Sequence, residues 1–211
     1  MTAFPPTLSE NRTSRVARPM AIPADLARRI RWVGFDVDGV LTDGGIFLGD
    51  VAGQRLEFKR YDIQDGLGVL TLRMAGIRTG IVTGRVSESV RLRAQELGVD
   101  DLVQDARAMK LRAIKRIGAE IGVGMHEMAY LGDDLPDVAV LREVGLPVVV
   151  ANATEDAWRE AGRYALSRAG GHGAVREFAE LLLKARGEWD AIVERYVSSR
   201  AMDVEPEGVV P

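Results

Sequence analysis

The 211 residues contain no cysteine. Disulfides and thiolate metal sites are therefore excluded, and the chain suits a reducing compartment such as the cytoplasm. There is no large basic excess either: the formal net charge is −3, so nucleic acid is not an expected partner. No apolar run approaches the ~18 residues that a membrane helix needs, and no membrane partner is expected. What is present is 46% apolar and 28% charged, which suits one globular domain with a full core.

Both ends read as loose. Residues 1–23 hold four prolines, keep no stable period and lack the apolar segment of a secretory signal. They are expected to form a mobile tail, as are residues 201–211. Residues 24–200 are expected to form a single domain. Within it, short apolar runs alternate with longer amphipathic ones. Strands are predicted at 32–37, 78–82, 101–103, 127–131 and 146–150, with a weak one near 163–166. Helices are predicted at 64–75, 87–97, 107–121, 134–144, 154–161, 173–186 and 188–199. This alternation predicts an α/β fold, a doubly wound parallel sheet with helices on both faces. One segment breaks the rhythm. In residues 44–62 two apolar runs, "IFL" and "LEF", flank "GDVAGQ", which predicts a β-hairpin inserted after the first strand. It is too short to be a separate domain.

The first strand runs into "WVGFDVDGVLTDGG" and ends in two carboxylates, Asp36 and Asp38. In a doubly wound sheet the residues just beyond the strands meet in one crevice. Here they are Asp36 and Asp38; Thr83, Gly84 and Arg85; and Gly132, Asp133 and Asp134, with Lys110 joining from the start of its helix. Crowded carboxylates need a cation or shared protons, and hard oxygen ligands suit Mg2+. Lysine, arginine and a threonine hydroxyl bind anions. A site for both a divalent cation and an anion points to phosphate chemistry. Asp36 is placed to attack phosphorus, and Asp38 to protonate the leaving oxygen and later to activate water.

These residues carry a resemblance. "FDVDGVLTDG", "IVTGR", Lys110 and "YLGDDLPD" resemble, in order and spacing, the four motifs of the haloacid dehalogenase superfamily, over roughly residues 30 to 186. The "DGVLTDG" extension, the hairpin, "QDGLG" at 64–68 and "GGHGAVRE" at 170–177 are similar to its capless branch, the 3-deoxy-D-manno-octulosonate 8-phosphate phosphatases. The resemblance implies a cytoplasmic homotetramer that hydrolyses this phosphorylated sugar acid in making the lipopolysaccharide inner core. Related members act on nonulosonate 9-phosphates. It also implies roles. Asp36 is then the nucleophile and a Mg2+ ligand, Asp38 the acid/base with its carbonyl on the metal, and Asp133 the third protein ligand. Thr83 and Lys110 hold the phosphoryl group. Asp65, Gly66, Arg85 and Arg93 match positions that line the substrate site, and His172 lies in the glycine-rich loop beside it. The chain departs from the pattern at Gln64, Leu70 and His172, where relatives often carry basic residues. The departures bear on which sugar acid is the substrate.

Blander readings stand beside these. Arg85 and Arg93 can form surface ion pairs. Asp137 can serve the metal shell or stabilise its helix N-terminus, and Asp134 lies between these cases. His126 reads as a surface loop residue. A receiver-like phosphoaspartate signalling domain would also gather acids, threonine and lysine on a doubly wound sheet. Its phospho-acceptor sits on a central strand, however, and its paired acids sit at the first strand's end, the reverse of the order here.

Overall fold

Trp32–Phe35 (β1) is the central strand of the computed structural model, which describes residues 20–201. It is preceded by a short helix, Ala24–Arg29 (α1), and followed by a tight turn over Val37–Leu41. The hairpin strands are Phe47–Val51 (β2) and Gln54–Phe58 (β3). Then come Ile63–Met74 (α2), Arg78–Thr83 (β4), Glu88–Leu97 (α3), Asp101–Gln104 (β5) and Lys110–Ile121 (α4). The chain continues through Met128–Gly132 (β6), Leu135–Leu141 (α5), Leu146–Val149 (β7) and Glu155–Ala161 (α6). It closes with Ala174–Arg186 (α7) and Trp189–Ala201 (α8).

The sheet order is β5-β4-β1-β6-β7, and every pairing is parallel. The chain winds outward from β1 to β5, then returns to β6 on the other side. That reversal places the crevice at the carboxyl end of β1. Alternate strand residues enter different cores. Val33, Phe35, Ala129 and Leu131 pack with α1, α2, α3 and α7. Trp32, Val82, Met128 and Tyr130 pack with α4, α5 and α6. Burial on both faces is why these strands read as unbroken apolar runs.

Several expectations shift. Helix α1 is absent from the sequence reading; six residues are too few to show a period. The weak strand near 163–166 is a single bridge from Val149 to Ala165. The helix expected at 107–121 starts at Lys110, because Asp105 caps a turn by accepting the N–H groups of Ala108 and Arg107, and Ala108 has φ +52. The hairpin turns at Ala52–Gly53, both with positive φ, so the strands include Gly49–Val51 rather than "IFL" alone. Of the predicted tails, residues 1–19 and 202–211 lie outside the described residues. In 20–23, expected to be loose, Met20 and Ile22 are buried in the core under α1. No cap domain occurs among the described residues.

Candidate active site

Asp36 and Asp133 are delivered by the ends of strands, and Asp137 by the first turn of α5. Asp36 follows β1, and its N–H donates to the Leu131 carbonyl at 3.0 Å, extending the sheet by one residue. The chain then turns so sharply that Gly39 has φ +95, a conformation glycine adopts without strain. The Asp133 carboxylate fills the space beside it. A Cβ at residue 39 would lie 2.1 Å from Asp133 Oδ2. Asp133 itself follows β6, and Thr83 ends β4, the strand on the other side of β1.

One buried network joins these strand ends. Lys110, the first residue of α4, puts its Nζ 2.9 Å from Asp36 Oδ1 and 2.7 Å from Asp137 Oδ1. Asp137 Oδ1 also accepts the Tyr130 hydroxyl at 2.9 Å, and its Oδ2 accepts the N–H groups of Asp133 at 3.0 Å and Asp134 at 3.3 Å. Asp137 is therefore fully engaged. Of the two roles weighed for it, the helix N-terminus is the one seen directly: with Asp134 it forms the capping box of α5. The Asp134 carboxylate faces the Leu135 N–H at 2.7 Å. By contrast, Asp36 Oδ1 and Asp133 Oδ1 are buried and accept no aligned hydrogen bond.

Asp36, Asp133 and Asp137 each bring an oxygen within 4.8 Å of the others. Three carboxylates facing one ammonium leave two negative charges uncompensated, the charge of one divalent cation. Burial, and then the Asp137 charge, push the Asp36 carboxyl up to about 7 against the pull of Lys110. Burial, Asp36 and Asp137 push Asp133 up to about 8. Burial also opposes the charge on Lys110, but Asp36 and Asp137 outweigh it and raise its pKa. The ammonium is thus held charged while the acids compete for it. Unsatisfied buried oxygens of this kind fit a hard cation such as Mg2+.

Asp38 lies nearer the mouth, its side chain 22% exposed. The hairpin stem supplies its partners. The fully buried Lys59 ammonium contacts the Asp38 carboxylate, and Arg85 Nε lies 3.5 Å from it. Glu57 bridges both cations, at 3.5 Å from Lys59 and 2.9 Å from Arg85. Beyond them, a cavity of about 590 Å3 opens between β3 and α3, lined by Tyr61, Ser87 and Arg93 among others. Arg93 Nη1 bonds Glu96 and Nη2 bonds the Asp62 carbonyl, leaving Nε buried without a partner.

The other sequence-predicted residues divide. Thr83 is buried and accepts the Arg85 N–H at 3.3 Å. Gly66 lies against Arg93. Asp65 is buried against the start of α7, with its Oδ1 accepting the Arg176 N–H at 2.9 Å, and does not join the acidic cluster. His172 is exposed and meets Arg60 Nη2 at 3.1 Å, on the loop that packs on the turn after Asp38. Lys59, Glu57, Arg60 and Tyr130 were not singled out from the sequence. Tyr130 alone left a signal, a hydroxyl inside the otherwise apolar strand "MAYLG".

Comparisons with known proteins point to one family. Residues 67–145 match the model of the haloacid dehalogenase-like hydrolases. The 3-deoxy-D-manno-octulosonate 8-phosphate phosphatase of Escherichia coli K12 is 39% identical over 164 residues, 78% of this chain and 85% of that protein. The crystal structure of the Moraxella catarrhalis enzyme of that name, with magnesium, phosphate and the sugar acid bound, has TM-score 0.76 and 38% identity. It covers 82% of this chain and 97% of that one. A probable phosphatase from Pseudomonas syringae has TM-score 0.75 and 40% identity, over 82% and 97% of the two chains. A phosphatase, and not a receiver-like signalling domain, is the result. The chain belongs to the 3-deoxy-D-manno-octulosonate 8-phosphate phosphatase family of haloacid dehalogenase-like hydrolases.

Proposed function

We propose that the chain hydrolyses 3-deoxy-D-manno-octulosonate 8-phosphate to the free sugar acid and phosphate, using Mg2+, in the synthesis of the lipopolysaccharide inner core. The observation that carries the site assignment is the convergence of the buried Asp36 and Asp133 carboxylates beside Lys110, with Asp133 Oδ1 left without a partner. Asp36 and Asp133 would hold the cation, together with the Asp38 carbonyl. When bound, the cation neutralises the acids and draws charge from the phosphoryl oxygens.

The steps then belong to the chain's own groups. An Asp36 oxygen bonds to phosphorus as the ester P–O bond breaks. Asp38 gives its proton to the leaving sugar oxygen. Lys110 and the Thr83 hydroxyl hold the phosphoryl oxygens. Asp38 next takes a proton from water as that water attacks the aspartyl-phosphate, releasing phosphate and restoring Asp36. The lined cavity beside Lys59 receives the sugar acid, with Arg85 and Arg93 near its polar groups. Asp134 and Asp137 orient the acids that touch the metal.

Four subunits complete this reading. The hairpin exposes Phe47 (63%), Leu48 (78%) and Phe58 (58%) to solvent, and a lone two-stranded hairpin is marginal in water. Neighbouring chains that cover it form a closed ring, and His172 and Gly66 face the substrate within that assembly. The location is cytoplasmic: a charged phosphate ester does not cross a bilayer, so its phosphatase works where the ester is made. Among the described residues no helix is long and apolar enough to cross a membrane. Gln64, which accepts from Arg168 Nη1 at 2.7 Å, stands where relatives are basic. A nonulosonate 9-phosphate is the alternative substrate. Turnover of phosphorylated eight- and nine-carbon sugar acids, with hexose phosphates as controls, tests the assignment. Equal kcat/KM for hexose phosphates overturns it.

A further inference from the structure

Asp65 stands in the first turn of α2 and is 1% exposed. A carboxylate at that depth is normally paired with a cation. Arg93 is nearby, but its hydrogen bonds go to Glu96 and to the Asp62 carbonyl. Asp65 Oδ1 instead accepts the N–H of Arg176 at 2.9 Å, and the Val175 N–H adds to it. Both donors belong to the first turn of α7, where N–H groups have no partner within the helix. Gly173, just before α7, offers no side-chain cap. Asp65 is the cap of α7, supplied from another helix. Gly68 permits the approach: a Cβ there would lie 2.8 Å from the Arg176 Cα.

The charge is retained under strain. Burial is the largest influence on Asp65. With the Asp62 charge it outweighs the backbone donors and Arg93 and pushes the carboxyl up to about 6. Asp65 Oδ2 has no partner. A neutral acceptor would satisfy α7 without burying a charge. A charged one makes bonds roughly twice as strong and sits favourably at the helix N-terminus.

What α7 holds in turn is the 170–173 loop. The Gly171 N–H donates to the Val40 carbonyl at 3.0 Å, and a Cβ at Gly170 would lie 1.7 Å from the Gly39 carbonyl oxygen. Gly39 follows Asp38 and touches Asp133. We infer that Asp65 is a positioning residue for phosphoryl transfer: through α7 it presses the 170–173 loop onto the turn that carries Asp38 and Gly39. This rests on the phosphatase chemistry of the site and not on the sugar it prefers.

The test is Asp65→Asn in the full chain, with p-nitrophenyl phosphate as substrate and saturating Mg2+. The amide keeps the shape and an acceptor but loses the charge. The kcat should fall about 5- to 20-fold with KM within about twofold, as expected of a small displacement. The thermal unfolding midpoint at pH 7.5 should stay level or rise, because a buried charge has gone. The Gly171 amide should exchange faster with deuterium. Asp65→Ala should lose more kcat than Asp65→Asn. A cap that acts only on stability would lower the midpoint and kcat together, and that pattern overturns the inference. So does a variant with kcat within twofold of the parent, an unchanged Gly171 exchange rate, or an Asp65→Asn chain that does not fold. If the parent does not turn over the aryl phosphate, the same comparison is made with 3-deoxy-D-manno-octulosonate 8-phosphate; a parent inactive on both overturns the phosphatase reading, whereas an active parent with an unaffected Asp65→Asn variant overturns only the role of Asp65.

Discussion

The carboxylate of Asp133 occupies the position that a side chain on Gly39 would need, with its Oδ2 2.1 Å from the missing Cβ. Two strand ends, β1 and β6, thus meet without a gap. Gly39→Ala is expected to displace Asp133 and to force a non-glycine residue to φ near +95. The strain costs about 1–3 kcal/mol, and turnover should fall ~10²-fold or more, with a raised Mg2+ requirement. Titration of activity with Mg2+ checks this, and an unaltered Mg2+ requirement contradicts it.

Asp36→Asn should fold and bind phosphate esters but turn over about 10⁴-fold more slowly or not at all, since an amide does not attack phosphorus. Single-turnover assays on the purified variant check this. Near-normal rates would sink the nucleophile assignment.

Asp38→Asn should slow sugar phosphates by ~10²–10⁴-fold and aryl phosphates by less, because an aryl oxide needs no proton to depart. Mg2+ affinity should be nearly unchanged, the proposed ligand at Asp38 being its backbone carbonyl. Equal losses on both substrate types would count against Asp38 as proton donor.

Metal and proton compete for the same oxygens. The Asp36 and Asp133 carboxyls are pushed from 3.8 up to about 7 and about 8. An acid with a raised folded pKa is stabilising while protonated. Its contribution is lost as pH rises from the unfolded value through the folded one. In chelator, the unfolding midpoint should therefore drop between roughly pH 4 and pH 8, other groups being equal. Mg2+ should flatten that drop and restore the activity that chelation abolishes. Scanning calorimetry on the parent and on Asp133→Asn, which should show a shallower drop, is the measurement. A midpoint that rises with pH in chelator, by as much in the variant, would exclude the linkage.

Phe47→Asp places a charge on the exposed hairpin and should break the proposed tetramer, with kcat/KM for the best sugar phosphate falling alongside. Light scattering and kinetics on one sample test both. A folded monomer with undiminished kcat/KM would refute a shared active site.

The inner strands were legible because β1, β4 and β6 are buried on both faces and run into aspartate, threonine or glycine. "FDVDG", "VTGR" and "LGDD" fall at the ends of β1, β4 and β6. The lysine at 110 was legible as a helix start, though Ala108, at φ +52, moved that start from 107. Contacts made only by tertiary folding were not legible. Lys59 sits in "EFKRYD", which reads as a solvated charge run, yet its side chain is fully buried against Asp38. The resemblance matches Asp65 to a position that lines the substrate site, but a motif gives position along a helix and not the neighbour it faces. Its neighbour, the N-terminus of α7, lies 111 residues away in sequence.

Neither hairpin strand contributes a residue to either core cluster. Its ribbon is joined to the domain through the Thr42–Tyr61 bridge and the Glu57–Lys59 contacts to Asp38 and Arg85. Mutational drift along the ribbon is therefore uncoupled from the thermodynamics of the sheet. Substitutions at its exposed positions therefore leave both cores intact, and what the ribbon meets can change without repacking the strands that carry Asp36 and Asp133.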